Sequence, residues 1–290
     1  MTTRTTINPT LNAYRTGLRR GLSSLRITLT TASDVLGSVL PLALGVGVLL
    51  FMRNFGFGES ELSLGAMNLP SLIGMNVVFS GVMGILGVLV MDRTNGTLLR
   101  AKSVPGGTIG YLIGEVLAVA IITVITTLAL LVAGLLLFDG LVFDSPVRWL
   151  GFFGVMCLGL AATLPLGAVL GALIENPRNM GLVMLPFMGL VGVSGVFYPI
   201  TALPAWLQGI GQAFPMYWMG LGMRSTLLPD TMVAVEIGAS WRVPEMLLVL
   251  SAWTIVGLVL APRLLSRMAR RESGSAVDRR RAELRQDWGG

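Results

Sequence analysis

The sequence predicts an all-α integral membrane protein. It reads as six transmembrane helices, an N-terminal amphipathic interfacial helix, a short helix in the cytoplasmic loop between spans 2 and 3, and short re-entrant outer helices before span 6. Three observations carry this reading. Of 290 residues, 53% are hydrophobic and only 12% charged, against about 25% charged in a soluble domain. The apolar residues fall in long uncharged blocks, the signature of membrane-crossing segments. The Lys and Arg residues collect in alternate loops, which sets a topology.

Residues 1–33 read as a cytoplasmic N-terminus. Within it, Leu11, Tyr14, Leu18, Leu22, Leu25 and Leu29 recur three or four apart, one stripe of an α-helix, and Arg15, Arg19, Arg20 and Arg26 fall largely outside the stripe. A basic amphipathic helix directly before a membrane span is expected to lie in the interface, leucines in acyl chains and arginines at anionic headgroups. Packing of that stripe on a protein partner is the alternative. The first apolar block begins near Val35 and further spans follow, so no signal peptide is expected.

A six-span domain is expected over 34–265, with spans near 34–52, 70–91, 108–138, 149–174, 179–198 and 244–265, each about the 20 residues a hydrocarbon core requires. Asp34 reads as the N-cap of the first. Gly106, Gly110 and Gly114 in span 3, and Gly167 with Gly171 in span 4, are spaced for close helix approach in lipid. Between spans 2 and 3 the island Asp92–Gly107 is polar and basic, with a short helix stopped by Pro105. Before span 6, Pro199–Pro229 is too apolar for a solvated loop and too rich in proline to cross. Two short helices dipping into the outer leaflet fit it best, with Trp206 and Trp218 at headgroup depth. Residues 266–290 read as a basic cytoplasmic tail, a solvated extension of the last helix.

With the N-terminus inside, the cytoplasmic segments hold 17 of the 21 Lys and Arg residues, and only Arg53, Arg148, Arg224 and Arg242 lie outside. Both termini are therefore expected in the cytoplasm. Topology accounts for the formal charge of +6, so a nucleic-acid partner is not expected. Lysine occurs once, at Lys102, against 20 arginines, a bias that fits a GC-rich bacterial genome.

Several chemistries lose their residues. The chain has no histidine, which removes His-based triads, HExxH zinc sites and histidine proton relays, and no metal site is expected. The single cysteine, Cys157, sits in an apolar block, where packing is its expected role. No GxxxxGK[ST] phosphate-binding loop occurs. An intramembrane enzyme is disfavoured because no catalytic constellation can be assembled. A proton-coupled secondary transporter needs several protonatable groups near the midplane, and only Glu115 lies well inside a span. Its nearness to the interface allows snorkelling, or pairing with an arginine of the N-terminal helix.

The loop Asp92–Pro105, with Gly96-Thr97-Leu98 ahead of Pro105, resembles the cytoplasmic motif of ABC-2 type permeases, the membrane subunits of one class of ABC exporter that includes drug-resistance permeases of the daunorubicin type. Ser194-Gly195-Val196-Phe197-Tyr198-Pro199, then Leu203-Pro204-Ala205-Trp206-Leu207 and Pro215-Met216-Tyr217, are similar to that family's stretch before its last span. The resemblance covers nearly the whole chain. The family often has a basic residue where Glu115 stands and a phenylalanine where Tyr198 stands.

The resemblance implies a permease subunit of a bacterial plasma membrane, non-catalytic, that exports a hydrophobic or amphipathic compound such as a drug, antibiotic or lipid. It implies a second permease, identical or related, and a soluble ATPase, two copies per complex, that carries Mg-ATP; no cofactor is expected on this chain. The short helix then becomes a coupling helix. Leu98 and Leu99 would offer apolar contact, Arg93, Arg100 and Lys102 charge, with Gly96, Thr97 and Pro105 shaping the turn. Family analogy places the substrate path on spans 2 and 5, where Asn76, Phe79 and Met83 and then Met184 and Met188 form mixed and methionine-rich faces. Such faces suit irregular hydrophobic ligands, and equally serve packing or lipid contact. Arg15, Leu18, Arg19, Leu22, Trp206 and Trp218 are the expected membrane-interface residues.

Overall fold

A computed structural model describes residues 9–55, 63–103, 107–142 and 144–271. The described chain is helical throughout, and five of its helices are long and apolar enough to cross a membrane. Helix α1 (Pro9–Thr30) turns at Thr31 into α2 (Ala32–Met52). Helix α3 (Leu64–Phe79) continues through one widened π turn (Ser80–Gly84) into α4 (Ile85–Asn95), then α5 (Thr97–Lys102), α6 (Gly107–Leu137), α7 (Pro146–Leu173), α8 (Gly181–Val193), α9 (Ala205–Ala213), α10 (Pro215–Leu227) and α11 (Val243–Arg271). The last helix runs six residues past its expected end at 265, and the rest of the expected tail, 272–290, lies outside the described residues.

Two expectations on boundaries change. Thr31, in extended conformation, holds the N-cap position of α2 and makes no side-chain cap bond. Asp34 is instead the third helical residue, where the helix dipole still favours an acid. The block expected as span 5 yields only α8, 13 residues or about 20 Å, short of a hydrocarbon core of about 30 Å. The helix stops because Gly195 takes φ +65° and turns the chain toward Pro199.

The core is built from α3, α7 and α10. Twelve of the 16 residues of α3 and 12 of the 13 of α10 are buried. The segment expected to graze the outer leaflet thus divides: α9 stays peripheral, while α10 is wedged against α3, α7 and α11. By contrast α2 and α11 present rows of exposed leucines and valines, among them Leu36, Leu40, Leu44, Leu248, Leu258 and Val259, the faces a bilayer would cover. Cys157 lies exposed on α7.

Helix α1 packs along the first half of α6 through glycines on both sides. A Cβ at Gly17 would lie 2.9 Å from the Gly110 carbonyl oxygen, and one at Gly21 would lie 2.8 Å from that of Gly114. No side chain fits between these backbones, so the expected close contact at Gly110 and Gly114 is real and its partner is α1. Gly106 lies outside the described residues. Gly167 and Gly171 receive the Val82 backbone and Leu89 just as closely.

Candidate functional site

At one end of the bundle, Gly96 links α4 to α5 with φ +74°, a left-handed geometry that a Cβ disfavours by about 1–2 kcal/mol. Helix α5 lies against α4, α6 and α11. Leu98, expected to face a partner, is only 1% exposed and pins α5 to the core instead. Arg93, expected as a docking charge, is also inside: its Nη1 donates to the Ile174 carbonyl at 2.7 Å and its Nη2 lies 3.9 Å from Glu175. There it satisfies carbonyls at the C-terminus of α7, where no helical N–H remains to do so. Arg100 and Lys102 are exposed, and Thr97 and Leu99 are partly so. Pro105 lies outside the described residues. The outward surface of α5 is thus smaller and more basic than the sequence implies.

Beside it, Arg20 of α1 gathers three elements. Its Nε donates to Glu115 Oε1 at 3.1 Å, its Nη2 lies 3.9 Å from Asp92 Oδ2, and its guanidinium stacks 4.6 Å above the Tyr111 ring. Glu115 is buried, and its partner is an arginine of the N-terminal helix, one of the two arrangements expected for it. Because Gly17 and Gly21 hold α1 against α6, the opposite face is left outward: Leu18 and Leu22 are 50% and 57% exposed, and Arg19 is exposed. The side chain of Arg15 lies outside the described residues. Trp206 is exposed as expected. Trp218 is not. It is buried in α10, its Nε1 donating to the Gln212 carbonyl at 2.7 Å while Arg242 covers its ring at 4.9 Å.

Midway along α3–α4, two adjoining cavities of about 370 and 300 Å³ share Pro41, Leu42, Asn76 and Phe79 as a common wall. Ser80, Met83, Thr123 and Thr126 line the larger; Met75, Met188 and Phe197 line the smaller. Phe79 meets Phe187 of α8 edge-on at 5.7 Å between centroids. Asn76, Phe79, Met83 and Met188, grouped from the sequence on two separate spans, therefore come together, whereas Met184 lines neither cavity. The linings hold no ionisable side chain.

The opposite end carries an arrangement the sequence reading missed. Arg224 of α10 and Glu236 form a buried two-pronged pair, Nε to Oε1 at 2.6 Å and Nη2 to Oε2 at 3.3 Å. The same guanidinium donates to Ser71 Oγ of α3 at 2.6 Å and reaches the Gly195 carbonyl at 3.5 Å. One side chain thereby fastens α10, α3, the turn after α8 and the Glu236 segment. A signal was available: an arginine inside the apolar run Pro215–Leu228 requires a partner, and two acids, Asp230 and Glu236, follow within 12 residues.

These features define a multi-pass helical membrane protein with a cavity midway along its α3–α4 stretch and a short basic helix held at one end. The family profile described as ABC-2 family transporter protein matches residues 35–261. The chain belongs to that family. A curated relative from Bacillus subtilis (strain 168), described as "Putative transport permease YvfS", is 24% identical over 154 residues, 53% of this chain and 62% of the relative. The chain therefore matches less than two thirds of that relative's length.

Proposed function

We propose that this chain is the permease subunit of an ATP-driven exporter in a bacterial plasma membrane, moving a hydrophobic or amphipathic compound outward. A separate ATPase, two copies binding Mg-ATP, docks on α5, and a second permease completes the pathway. The observation that supports this most is the placement of α5. Leu98 pins it to the bundle from inside, Arg93 anchors the end of α4 just before it, and Leu99, Arg100 and Lys102 lie on the outer side. A helix held this way transmits a push to α4 and α6 and cannot simply bend aside. The exposed basic pair suits an acidic groove.

Six crossings fit the charge distribution better than five, because an even number returns the basic C-terminal region to the same side as α1. The short α8 supplies the remaining crossing, with the 3₁₀ turn Pro177–Met180 extending it and local thinning or a neighbouring subunit making up the rest. Leu182, Leu185 and Met184 of α8 are exposed, a face open to the second permease. Proton coupling finds little support, since Glu115 is committed to Arg20.

Purification of the complex with its ATPase tests the docking face. Arg100→Glu combined with Lys102→Glu leaves the thermal stability of the permease within about 0.5 kcal/mol, as exposed substitutions do, yet lowers ATPase co-purification at least tenfold. Undiminished co-purification and export by the double variant sink the assignment of α5.

A further inference from the structure

The larger cavity has a polar wall whose hydrogen bonds run in one direction. Thr126 Oγ1 donates to the Thr123 carbonyl at 3.1 Å, and Thr123 Oγ1 donates to that of Val119 at 2.8 Å. With its proton committed, Thr126 Oγ1 can only accept from Asn76, which fixes the amide so that Nδ2 points at it, 3.1 Å away, and at Thr127 Oγ1, 3.0 Å away. Both amide protons are then used. The Oδ1 of Asn76 accepts from Ser80 Oγ at 3.4 Å. The donors of this Asn76–Ser80–Thr126 chain are all engaged within the protein, while lone pairs remain on Asn76 Oδ1, Ser80 Oγ and Thr126 Oγ1. Ser80 could turn its proton toward a ligand only by removing the hydrogen bond on Asn76 Oδ1. Thr28 of α1, the remaining hydroxyl of the lining, stands outside the chain. The rest of the wall is largely apolar, with Phe79, Met83 and Val119 prominent.

We propose that this cavity selects apolar molecules carrying a hydrogen-bond donor, a hydroxyl or an N–H, over molecules of the same shape that carry only acceptors. The inference names a chemical class for the compound of the proposed function and rests on that reading only in taking the cavity's ligand for the transported one. An acceptor-only oxygen placed against this wall meets lone pairs and loses the hydrogen bond it made in water. A donor exchanges one partner for another. Ser80 opens the π turn, and such widened turns recur at functional sites.

The test uses two probes of matched shape: N-phenyl-1-naphthylamine, bridged by N–H, and 1-phenoxynaphthalene, bridged by an ether oxygen. A Met83→Cys substitution in a Cys157→Ser background puts one reporter thiol in the cavity, and its alkylation rate by N-ethylmaleimide is followed in nanodiscs at rising probe concentration. The amine should half-protect the thiol at a concentration about tenfold lower than the ether. Adding Asn76→Leu with Ser80→Ala should bring the two concentrations together. Equal protection in the unaltered wall, preference for the ether, or no protection by either probe because lipid tails fill the cavity overturns the proposal. Protection needs neither ATP nor a partner chain, so donor selectivity stands or falls independently of the permease reading.

Discussion

Replacing Glu236 by Gln keeps the shape of the Arg224 clamp and removes its charge balance. Both residues are less than one tenth exposed, so water cannot reach the guanidinium to compensate. Two of its contacts survive, to Ser71 Oγ and the Gly195 carbonyl, but both are to neutral groups. Breaking a buried pair by neutralising one member typically costs about 3–5 kcal/mol. The surviving neutral contacts argue for the lower end, about 3 kcal/mol, equivalent to a fall of about 6–12 °C in Tm for a chain of this size. Thermal unfolding of the purified protein in nanodiscs, followed by loss of monodisperse protein, reads this directly. The double variant Arg224→Met with Glu236→Leu supplies the contrast: with both charges gone nothing is stranded, and it should be the more stable of the two. A Glu236→Gln protein that melts within 2 °C of the parent, or a double variant that melts lower still, refutes the argument that the single change strands a buried charge.

Gly21→Ile should separate α1 from α6 and cost about 1–3 kcal/mol through overpacking, weakening the Arg20–Glu115 contact with it. Gly37→Ala on α2, where an added Cβ meets nothing within 4 Å, should be neutral in the same melt. Gly96→Ala should cost about 1–2 kcal/mol because of the left-handed backbone at that position, and Gly96→Asn should recover part of it, since asparagine tolerates that conformation. Equal melting of the alanine and asparagine variants would show that α5 can re-orient freely.

Much of this was legible in the sequence because it depends on local pattern. The five long helices follow from runs of apolar residues, the contact at Gly110 and Gly114 from their spacing, and the arginine partner of Glu115 from the expense of a lone acid in lipid. The remainder depends on which way an apolar residue faces. In a bilayer both lipid and protein accept leucine and tryptophan, so hydropathy does not separate Leu98, turned inward, from Leu99 beside it, or buried Trp218 from exposed Trp206. Arg93 was misread for a related reason: a basic residue in a loop looks solvated until the end of another helix is known to lie beside it. Helix α8 fell short of its expected span because composition does not record the left-handed turn at Gly195 that ends it.

The stretch Leu64–Asn95 is a single rod of 32 residues, about 48 Å long. Its first turns are gripped by Arg224 through Ser71, its last turn is anchored by Arg93 to the end of α7, and the cavity wall lies between the two grips. Between the two grips the helical ladder widens at one place, the π turn at Ser80–Gly84. That turn carries Ser80 and lies one turn from Asn76. Under the coupling proposed for α5, a torsion that carries Arg93 with it would reach the cavity wall at this turn before it reached the grip at Ser71.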